Sequence, residues 1–359
     1  MTRTTGIRTN KPDCRVFFCA IDPITITINH SEHSNTLYLD TMNDKSELYH
    51  FGEKIGAGQS MVHRGTIKET GKVVAIKVIS NGGKNAKIYQ SAIKEIAILK
   101  GLDHAGIVKI VDDYKMGGDI HLVLEYVNGG SLGDVAGKRS YSREDSLSVL
   151  KADEITRCMF SMLETLTYVH GLDLVHCDIK PENILYDEES SAFKLADFGS
   201  ALKASVIQST TLKFSTTPQY APPEVLQSNP DFFDDSLITQ KLDMWALAAS
   251  LVELTTGQKV CESSATARLL KSGEWSFETH YLGSLSEEQV QMWLAVPEVV
   301  RSCLQRCLVC DPAKRSPASQ LLSDPAVVGA RALLERDLEV RGLRATVDEL
   351  KVQVEPSLP

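Results

Sequence analysis

The sequence has no long apolar run and no surplus of positive charge. None of its hydrophobic stretches approaches the roughly 20 residues that a membrane-spanning helix requires. The 38 Lys and Arg residues are outnumbered by 47 Asp and Glu residues, which leaves a formal net charge of −9. Because nucleic acids are bound through basic surfaces, this balance argues against a nucleic-acid-binding protein. We therefore predict neither a membrane span nor a nucleic-acid partner.

The N-terminus also lacks the apolar core of a secretory signal. Several basic residues precede "VFFCAI", but that stretch is too short for such a core. We therefore expect a cytoplasmic protein with reduced thiols, and access to the nucleus stays open. The absence of acidic residues before Asp13 keeps a mitochondrial address as the less favoured alternative.

The eight cysteines do not form a complete metal-binding set. Cys303, Cys307 and Cys310 are spaced i, i+4, i+7, which predicts one face of one helix. No histidine or fourth cysteine follows them closely enough to complete a tetrahedral site. We interpret this stretch as a buried helix with small apolar side chains, and a metal site is the less favoured alternative.

What is present is enough chain for one large domain with an extension at each end. The chain has 359 residues, 43% of them hydrophobic, and a domain of roughly 270 residues fits within it. From residue 48 the pattern predicts strand, glycine turn, strand, "ETGK" turn and strand, followed by a helix and two more strands. The helix is predicted at 86–100 and the two strands at 107–114 and 119–126.

Helices dominate after residue 131. They are predicted at 152–170, 239–256, 287–294, 297–308 and 315–322. The polar stretch 137–150 is interpreted as a phosphorylatable insertion. Residues 1–47 form an N-terminal extension, in which "PITITIN" alternates as a half-buried strand would.

The tail at 324–359 has a heptad rhythm. Its seam is formed by Leu333, Val340, Leu343, Val347, Leu350 and Val354. Arg336 and Gly342 weaken that seam. We favour an amphipathic helix that docks on its own domain, or a frayed tail, over a dimeric coiled coil, so weak self-association is the alternative.

Two stretches carry glycine and lysine in a pattern suited to phosphate binding. "IGAGQSMVHRG" places Gly56 and Gly58 between two strands, where backbone N–H groups can approach phosphates closely. "VVAIKV" then places Lys77 among apolar strand residues, and "KEIAIL" places Glu95 on the following helix. A lysine alone on a strand would be read as an edge residue that prevents aggregation.

The most specific motif is D-x-K-x-x-N in "LVHCDIKPENIL", followed fourteen residues later by D-F-G. Transfer of a phosphoryl group between oxygens needs cations around it. Carboxylate and amide oxygens in turn suit the hard Mg²⁺ ion. No purely structural interpretation explains both motifs together.

In this order the motifs resemble the eukaryotic-type protein kinases, specifically the serine/threonine kinases, over roughly residues 48–322. The resemblance implies an α+β, two-lobed protein kinase fold. A small N-lobe at 48–127, an antiparallel sheet with one helix, would precede a larger, mostly helical C-lobe at 128–323. It further implies transfer of the γ-phosphoryl group of ATP, with Mg²⁺, to Ser or Thr hydroxyls of protein substrates.

The resemblance also implies the roles of site residues. Lys77, paired with Glu95, would reach the nucleotide phosphates, and Asn183 with Asp197 would hold Mg²⁺. Asp178 would orient and deprotonate the acceptor hydroxyl, Lys180 would neutralise charge on the transferring group, and Thr217 would bond towards both. The nucleotide-binding residues implied are Ile55, Gly56, Gly58, Val62, Ala75, Lys77, Leu124, Glu125, Val127 and Leu185.

Supporting contacts are implied as well. Glu224 would form a buried ion pair with Arg315, and Asp243 would bond backbone groups of the catalytic loop. Glu182 favours protein substrates with basic residues upstream of the acceptor.

The chain departs from the family pattern at two places. The glycine loop lacks its third glycine and is one residue short before Val62. Cys177 replaces the arginine that precedes the catalytic aspartate and that receives a phosphate from the activation segment, the stretch between Asp197 and Glu224. A phosphate in that segment, whose acceptors are Thr210, Thr211, Ser215 and Thr216, would have no such dock. We expect an enzyme whose control does not depend on it.

Two alternatives stay open. A pseudokinase would bind nucleotide as a scaffold without turnover, and only the glycine loop favours it. A kinase-fold enzyme acting on small molecules is disfavoured by Lys180-Pro181 and Thr217-Pro218, which resemble the peptide-binding segments of serine/threonine kinases.

Overall fold

The computed structural model describes residues 42–57, 61–80, 86–135, 150–207, 216–226 and 239–354. The strand expected in "PITITIN", Gly58 and the polar insertion up to residue 149 lie outside these residues. The described chain forms a five-stranded antiparallel sheet followed by a helical region. The α+β, two-lobed fold class is therefore confirmed.

The N-lobe sheet has the strand order β1-β2-β3-β5-β4. Its strands are β1 (Tyr49–Ala57), β2 (Met61–Ile67), β3 (Val73–Ile79), β4 (Ile110–Met116) and β5 (Asp119–Glu125). Helix α1 (Ala86–Lys100) follows β3, as predicted. Strand β4 begins three residues later than predicted, because Ile107 forms only an isolated bridge to Leu195.

Alternation along β3 gives the sheet two apolar faces. Val74 and Ile76 are fully buried in one cluster with Tyr114 and Val123. Ile79 lies on the opposite face and packs against α1. Lys77 shares that second face, since residues two apart in a strand point the same way. The lysine is therefore directed to the side of the sheet that carries α1.

The C-lobe is built around α5 (Lys241–Thr256). From Leu242 to Thr256 every residue of this helix except Glu253 is buried. A helix that is apolar all round is stable only in the centre of a domain. It ends where Gly257 adopts a left-handed φ of 73° and donates its N–H to the Glu253 carbonyl.

The other C-lobe elements surround α5. The helices are α2 (Ala152–Gly171), α3 (Ala204–Ile207), α4 (Pro223–Leu226), α6 (Ser264–Ser272), α7 (Glu287–Ala295), α8 (Glu298–Cys307) and α9 (Ala318–Leu322). Two short hairpin-like sheets pair β6 (Leu174–Val175) with β9 (Leu202–Lys203) and β7 (Ile184–Asp187) with β8 (Ala192–Leu195).

The sequence prediction was wrong in two details here. Helix α6 was missed, although Ser263 caps its start and Gly273 its end. Helix α8 ends at Cys307, so Cys310 does not share its face with Cys303 and Cys307. Among the described residues, no group of three or more histidine, cysteine, aspartate or glutamate side chains is placed to hold a metal ion.

The tail forms one helix, α10 (Pro325–Val354), which docks by its first turns. Val327 is buried, and Ala330 and Leu334 pack against the C-lobe core. The predicted seam is not the docking face, because Leu333 is 64% exposed and Val340 39% exposed. None of the helices in the described part of the chain combines the length and apolarity needed to cross a bilayer.

Candidate active site

Three elements meet at the Lys77 ammonium. Its Nζ lies 2.9 Å from both carboxylate oxygens of Glu95 on α1 and 2.9 Å from Asp197 Oδ1. The Glu95 side chain is almost fully buried, whereas that of Asp197 is about half exposed in the cleft. The three-way contact joins the sheet, the helix and the start of the activation segment.

This contact controls the charges of its members. Burial alone would lower the pKa of Lys77, but Glu95 and Asp197 outweigh it and raise that pKa. Burial would likewise raise the pKa of Asp197, yet the Lys77 ammonium keeps it below its usual value. Asp197 is thus held as a carboxylate at neutral pH.

A second network surrounds the Asp178 carboxylate. Oδ1 accepts hydrogen bonds from the Thr217 backbone N–H at 3.0 Å and from its hydroxyl at 2.7 Å. Oδ2 accepts from Lys180 Nζ at 2.7 Å, and that ammonium also donates to Thr217 Oγ1 at 3.0 Å. The arrangement fixes the carboxylate in position and keeps a cation beside it.

Asn183 connects the two networks. Its Nδ2 donates to the Asp178 carbonyl at 2.7 Å. Its backbone carbonyl accepts from Ala196 N–H at 2.9 Å, next to Asp197. Because the amide nitrogen is engaged with Asp178, the amide oxygen is the atom of this side chain that could act as a metal ligand.

The residues of the N-lobe that were predicted to bind nucleotide share one sheet face. Val62 pairs with Lys77, and Ala75 pairs with Leu124, so these four side chains lie on the face that carries Lys77. Gly56 pairs with Val62 at the end of β1, before the part of the loop that the structure does not describe.

The segment between the lobes completes this pocket. Glu125 ends β5, and its carboxylate accepts from Lys109 N–H and from Lys194 Nζ, both at 2.8 Å. Val127 is buried, and Leu185 comes from β7 in the other lobe. Ile55 of β1 is 40% exposed. The Glu125 side chain and its backbone N–H, which donates to the Lys109 carbonyl at 2.9 Å, therefore both fix the segment between the lobes.

Asp243 supports the catalytic loop from within the central helix. Its Oδ1 accepts from Cys177 N–H at 2.9 Å, and its Oδ2 accepts from His176 N–H at 2.8 Å. His170 Nε2 contributes a further contact at 2.9 Å. Cys177 has a φ of 68°, an uncommon left-handed conformation for a residue with a side chain. The buried carboxylate holds the backbone in this turn just before Asp178.

The predicted ion pair between Glu224 and Arg315 is present. Two parallel hydrogen bonds of 2.7 and 3.0 Å join the guanidinium to the carboxylate, and both side chains are buried. The Arg315 guanidinium also lies over the Trp245 ring, 5.2 Å from its centroid. This pair ties the end of the activation segment to the C-lobe core.

Two functional contacts were not predicted from the sequence. His176 Nε2 lies 3.0 Å from the Ala196 carbonyl, which can only accept, so Nε2 carries the proton and Nδ1 is free to accept from Asp178 N–H. Ser91 donates to the Gly199 carbonyl at 2.9 Å and so ties α1 to the D-F-G turn. Ser91 lies four residues before Glu95 on the same helix face, which is the one signal the sequence offered.

Comparison with known proteins agrees with this geometry. Residues 49–327 match the family described as the protein kinase domain. The chain is 30% identical over 287 residues to the calcium/calmodulin-dependent protein kinase type II subunit delta of Oryctolagus cuniculus, covering 78% of this chain and 49% of that protein. It is 27% identical over 311 residues to a probable myosin light chain kinase of Dictyostelium discoideum, covering 85% of this chain and 72% of the other. The match thus spans about half the length of the first relative.

The family match covers most of the chain, and it includes both networks described above. The chain belongs to the eukaryotic-type serine/threonine protein kinase superfamily.

Proposed function

We propose that this chain is an active protein kinase that transfers the γ-phosphoryl group of Mg-ATP to Ser or Thr hydroxyls of protein substrates. The observation that carries the proposal is the Asp178 network, in which Thr217 and Lys180 position the carboxylate that would receive the hydroxyl proton. The contacts of Lys77 with Glu95 and Asp197 support it, since a broken Lys77–Glu95 ion pair would leave the ammonium without the orientation that phosphate binding needs.

The nucleotide would lie between the lobes. Lys77 would bind its phosphates, since the paired carboxylates keep the ammonium charged and oriented. Ala75 and Val62 above the ring, with Leu185 below it, would contact adenine by apolar packing. Leu124 would border the pocket, and backbone groups of Glu125 and Val127 would meet the polar edge of the ring.

The residues present fit a magnesium ion. Asp197 is ionised and about half exposed, and Asn183 offers its amide oxygen, which makes a hard, all-oxygen donor set. When bound, Mg²⁺ would neutralise charge on the phosphates. The protein's own part is to hold these two donors beside each other, through the hydrogen bond from Ala196 N–H to the Asn183 carbonyl.

During transfer the chain's residues would act on the acceptor. Asp178 would orient the hydroxyl and take its proton, and Lys180 would place positive charge beside the group being transferred. Thr217 would keep Asp178 and Lys180 in position relative to each other, because its hydroxyl donates to the carboxylate and accepts from the ammonium.

The substrate side favours a peptide with basic residues. Burial raises the pKa of Glu253, the Tyr220 hydroxyl and Lys259 lower it, and the carboxylates of Glu182 and Glu262 raise it, so three acidic side chains lie near one another in the C-lobe. A cationic side chain of a substrate near Glu182 would be attracted by these carboxylates. The proposal therefore includes a preference for Ser/Thr sites near basic residues, which extends the expectation drawn from Glu182.

The proposal extends to control and location. With Cys177 before Asp178, control would not depend on docking a phosphate of the activation segment. The six cysteines of the described chain are free, and burial raises the pKa of Cys158 and Cys307, which suits a reducing compartment such as the cytoplasm.

The second candidate, a pseudokinase, is favoured by the shortened glycine loop. Radiolabelled ATP with a generic basic protein separates the two candidates. We expect wild type to label the substrate and Asp178→Asn to lose activity by at least about a hundredfold, since this removes the proton acceptor. Thermal shift with Mg-ATP should be alike in both, which shows that the variant still binds nucleotide. Equal labelling by wild type and variant contradicts the proposal.

A further inference from the structure

Position 177 lies inside a small apolar cluster. We call it the 177 cluster, and its members are Val175, Cys177, Ala204 and Leu242, which are buried, with Leu202 and Val225 packed against them. The Cys177 side chain is completely inaccessible to solvent. A thiol at this place is therefore a packing group and not an exposed reactive one.

The cluster brings together four parts of the chain, one of which is the start of α5 at Leu242. Val175 and Cys177 belong to the strand and loop that lead to Asp178. Leu202 and Ala204 begin the activation segment, and Val225 follows its end. Both described ends of that segment thus pack against the same apolar cluster as Cys177 of the catalytic loop.

Hydrogen bonds fix the first of these ends. Val175 pairs with Leu202 in the β6–β9 sheet, and Ala204 N–H donates to the Asp173 carbonyl at 2.9 Å. Ser205 Oγ donates to Asp173 Oδ2 at 2.6 Å. These contacts seat Leu202 against the cysteine.

The cluster offers little to an anion. Burial raises the pKa of the Cys177 thiol, so it stays neutral. The cation that influences it is Lys94 of α1, whose own pKa is lowered by burial. A phosphate placed in this cluster would be desolvated, and its nearby cation, Lys94, is itself partly desolvated, so the ion pair would gain little free energy.

We propose that the 177 cluster anchors both ends of the activation segment by apolar packing, so that Cys177 and Leu202 are positioning residues that keep Thr217 on Asp178 without any phosphate. This inference rests on the proposed kinase function. It assigns to packing the task that an arginine–phosphate ion pair would otherwise perform.

The test compares Leu202→Ala with Lys203→Ala in the full-length protein. The two residues are neighbours in β9, but alternate side chains of a strand point to opposite faces, and only Leu202 belongs to the cluster. Each protein is treated with phosphatase before kcat and the KM for ATP are measured on a basic Ser/Thr peptide. Leu202→Met, which keeps an apolar side chain of similar size, is the rescue variant.

We expect phosphatase-treated wild type, Lys203→Ala and Leu202→Met to agree within about twofold in kcat. Leu202→Ala should lose about tenfold in kcat with little change in the KM for ATP, because the acceptor side is misplaced and the nucleotide site is not. A tenfold loss in wild type on phosphatase treatment overturns the inference, as does equal activity of Leu202→Ala and Lys203→Ala.

Amide hydrogen exchange separates failure of this inference from failure of the kinase assignment. Exchange of the Ala204 N–H, which donates to Asp173, should be about tenfold faster in Leu202→Ala than in Lys203→Ala, whether or not phosphate is transferred. If wild type transfers no phosphate in any state but this difference is seen, the anchor stands and the kinase assignment fails. Equal exchange in the two variants overturns the anchor.

Discussion

Replacing Lys77 by Met should make the stability of the protein depend on pH through Glu95. In the wild type the ammonium lies 2.9 Å from each carboxylate oxygen, and Glu95 is only 2% exposed. Burial raises the pKa of Glu95 from its ordinary 4.5, and Lys77 counteracts that effect. Without the ammonium, the buried carboxylate should take up a proton instead of remaining as an unpaired charge.

Protonation of Glu95 in the folded variant sets an upper limit on the loss of stability, because a neutral carboxyl avoids the larger cost of a buried, unpaired charge. Keeping the carboxyl protonated costs about 1.4 kcal/mol for each pH unit between its ordinary pKa of 4.5 and the pH of the buffer. The limit is therefore about 4 kcal/mol at about pH 7.5 and about 1.4 kcal/mol at about pH 5.5. The native variant binds a proton that its unfolded chain has released, so its free energy of unfolding falls as pH rises.

The assay is urea unfolding followed by far-UV circular dichroism at these two pH values. The deficit of Lys77→Met relative to wild type should shrink by about 1–3 kcal/mol on going to the lower pH. The double variant Lys77→Met/Glu95→Gln is the matched control, because its amide cannot titrate, and its deficit should change only by the contribution of Asp197, which loses the ammonium in both variants. A deficit of Lys77→Met that is equal at both pH values, or that changes equally in the double variant, refutes the reasoning. All these variants should lack phosphoryl transfer.

Two further predictions concern the scaffold of the site. Arg315→Leu removes the guanidinium that makes two hydrogen bonds to the buried Glu224 carboxylate and should lower the free energy of unfolding by about 3–5 kcal/mol in urea titrations, whereas Arg306→Leu, from a partly exposed pair, should cost under about 1 kcal/mol. Asp243→Asn offers one accepting oxygen where the carboxylate offers two, so one backbone N–H at His176 or Cys177 loses its acceptor. We expect a cost of about 1–3 kcal/mol and a lower kcat, and a variant equal to wild type in both would contradict the role assigned to this carboxylate.

Residues with a chemical task could be anticipated from the sequence. The pairing of Glu224 with Arg315 was implied by the resemblance to the kinase family, and the structure contains it as a buried bidentate contact. The central position of 239–256 followed from its apolar residues on every face, although the helix begins two residues later. Motif spacing predicts such features because the chemistry restricts both residue type and position.

Features that depend on long-range packing could not be anticipated. Nothing in the sequence says that Cys177, Leu202 and Val225 would pack in one cluster, since any short apolar residue at these positions would give the same pattern. The tail shows the same limit. Heptad spacing predicted a face with Leu333 and Val340, but the helix packs on the C-lobe through the face that begins at Val327. The buried face depends on the shape of the C-lobe surface and not only on the spacing of apolar residues in the helix.

The Asp178 carboxylate is positioned by two routes that differ in how easily they can be controlled. In the first route, Asp243 holds the backbone of the residues just before Asp178, and Asp243 belongs to a helix buried in the centre of the C-lobe. In the second route, Thr217 donates hydrogen bonds to the Asp178 carboxylate, and Thr217 belongs to the activation segment. The first route can change only if the core changes, whereas the second changes whenever the segment moves.

On the proposed kinase function, control would act most directly on the segment or on α1, the two elements that meet at Asp197. If apolar packing at Cys177 already anchors the segment, α1 becomes the element left to regulate, through the contact of Glu95 with Lys77. The Ser91 hydrogen bond to Gly199 then gains importance, because it is the contact by which a displacement of α1 would reach the D-F-G turn directly.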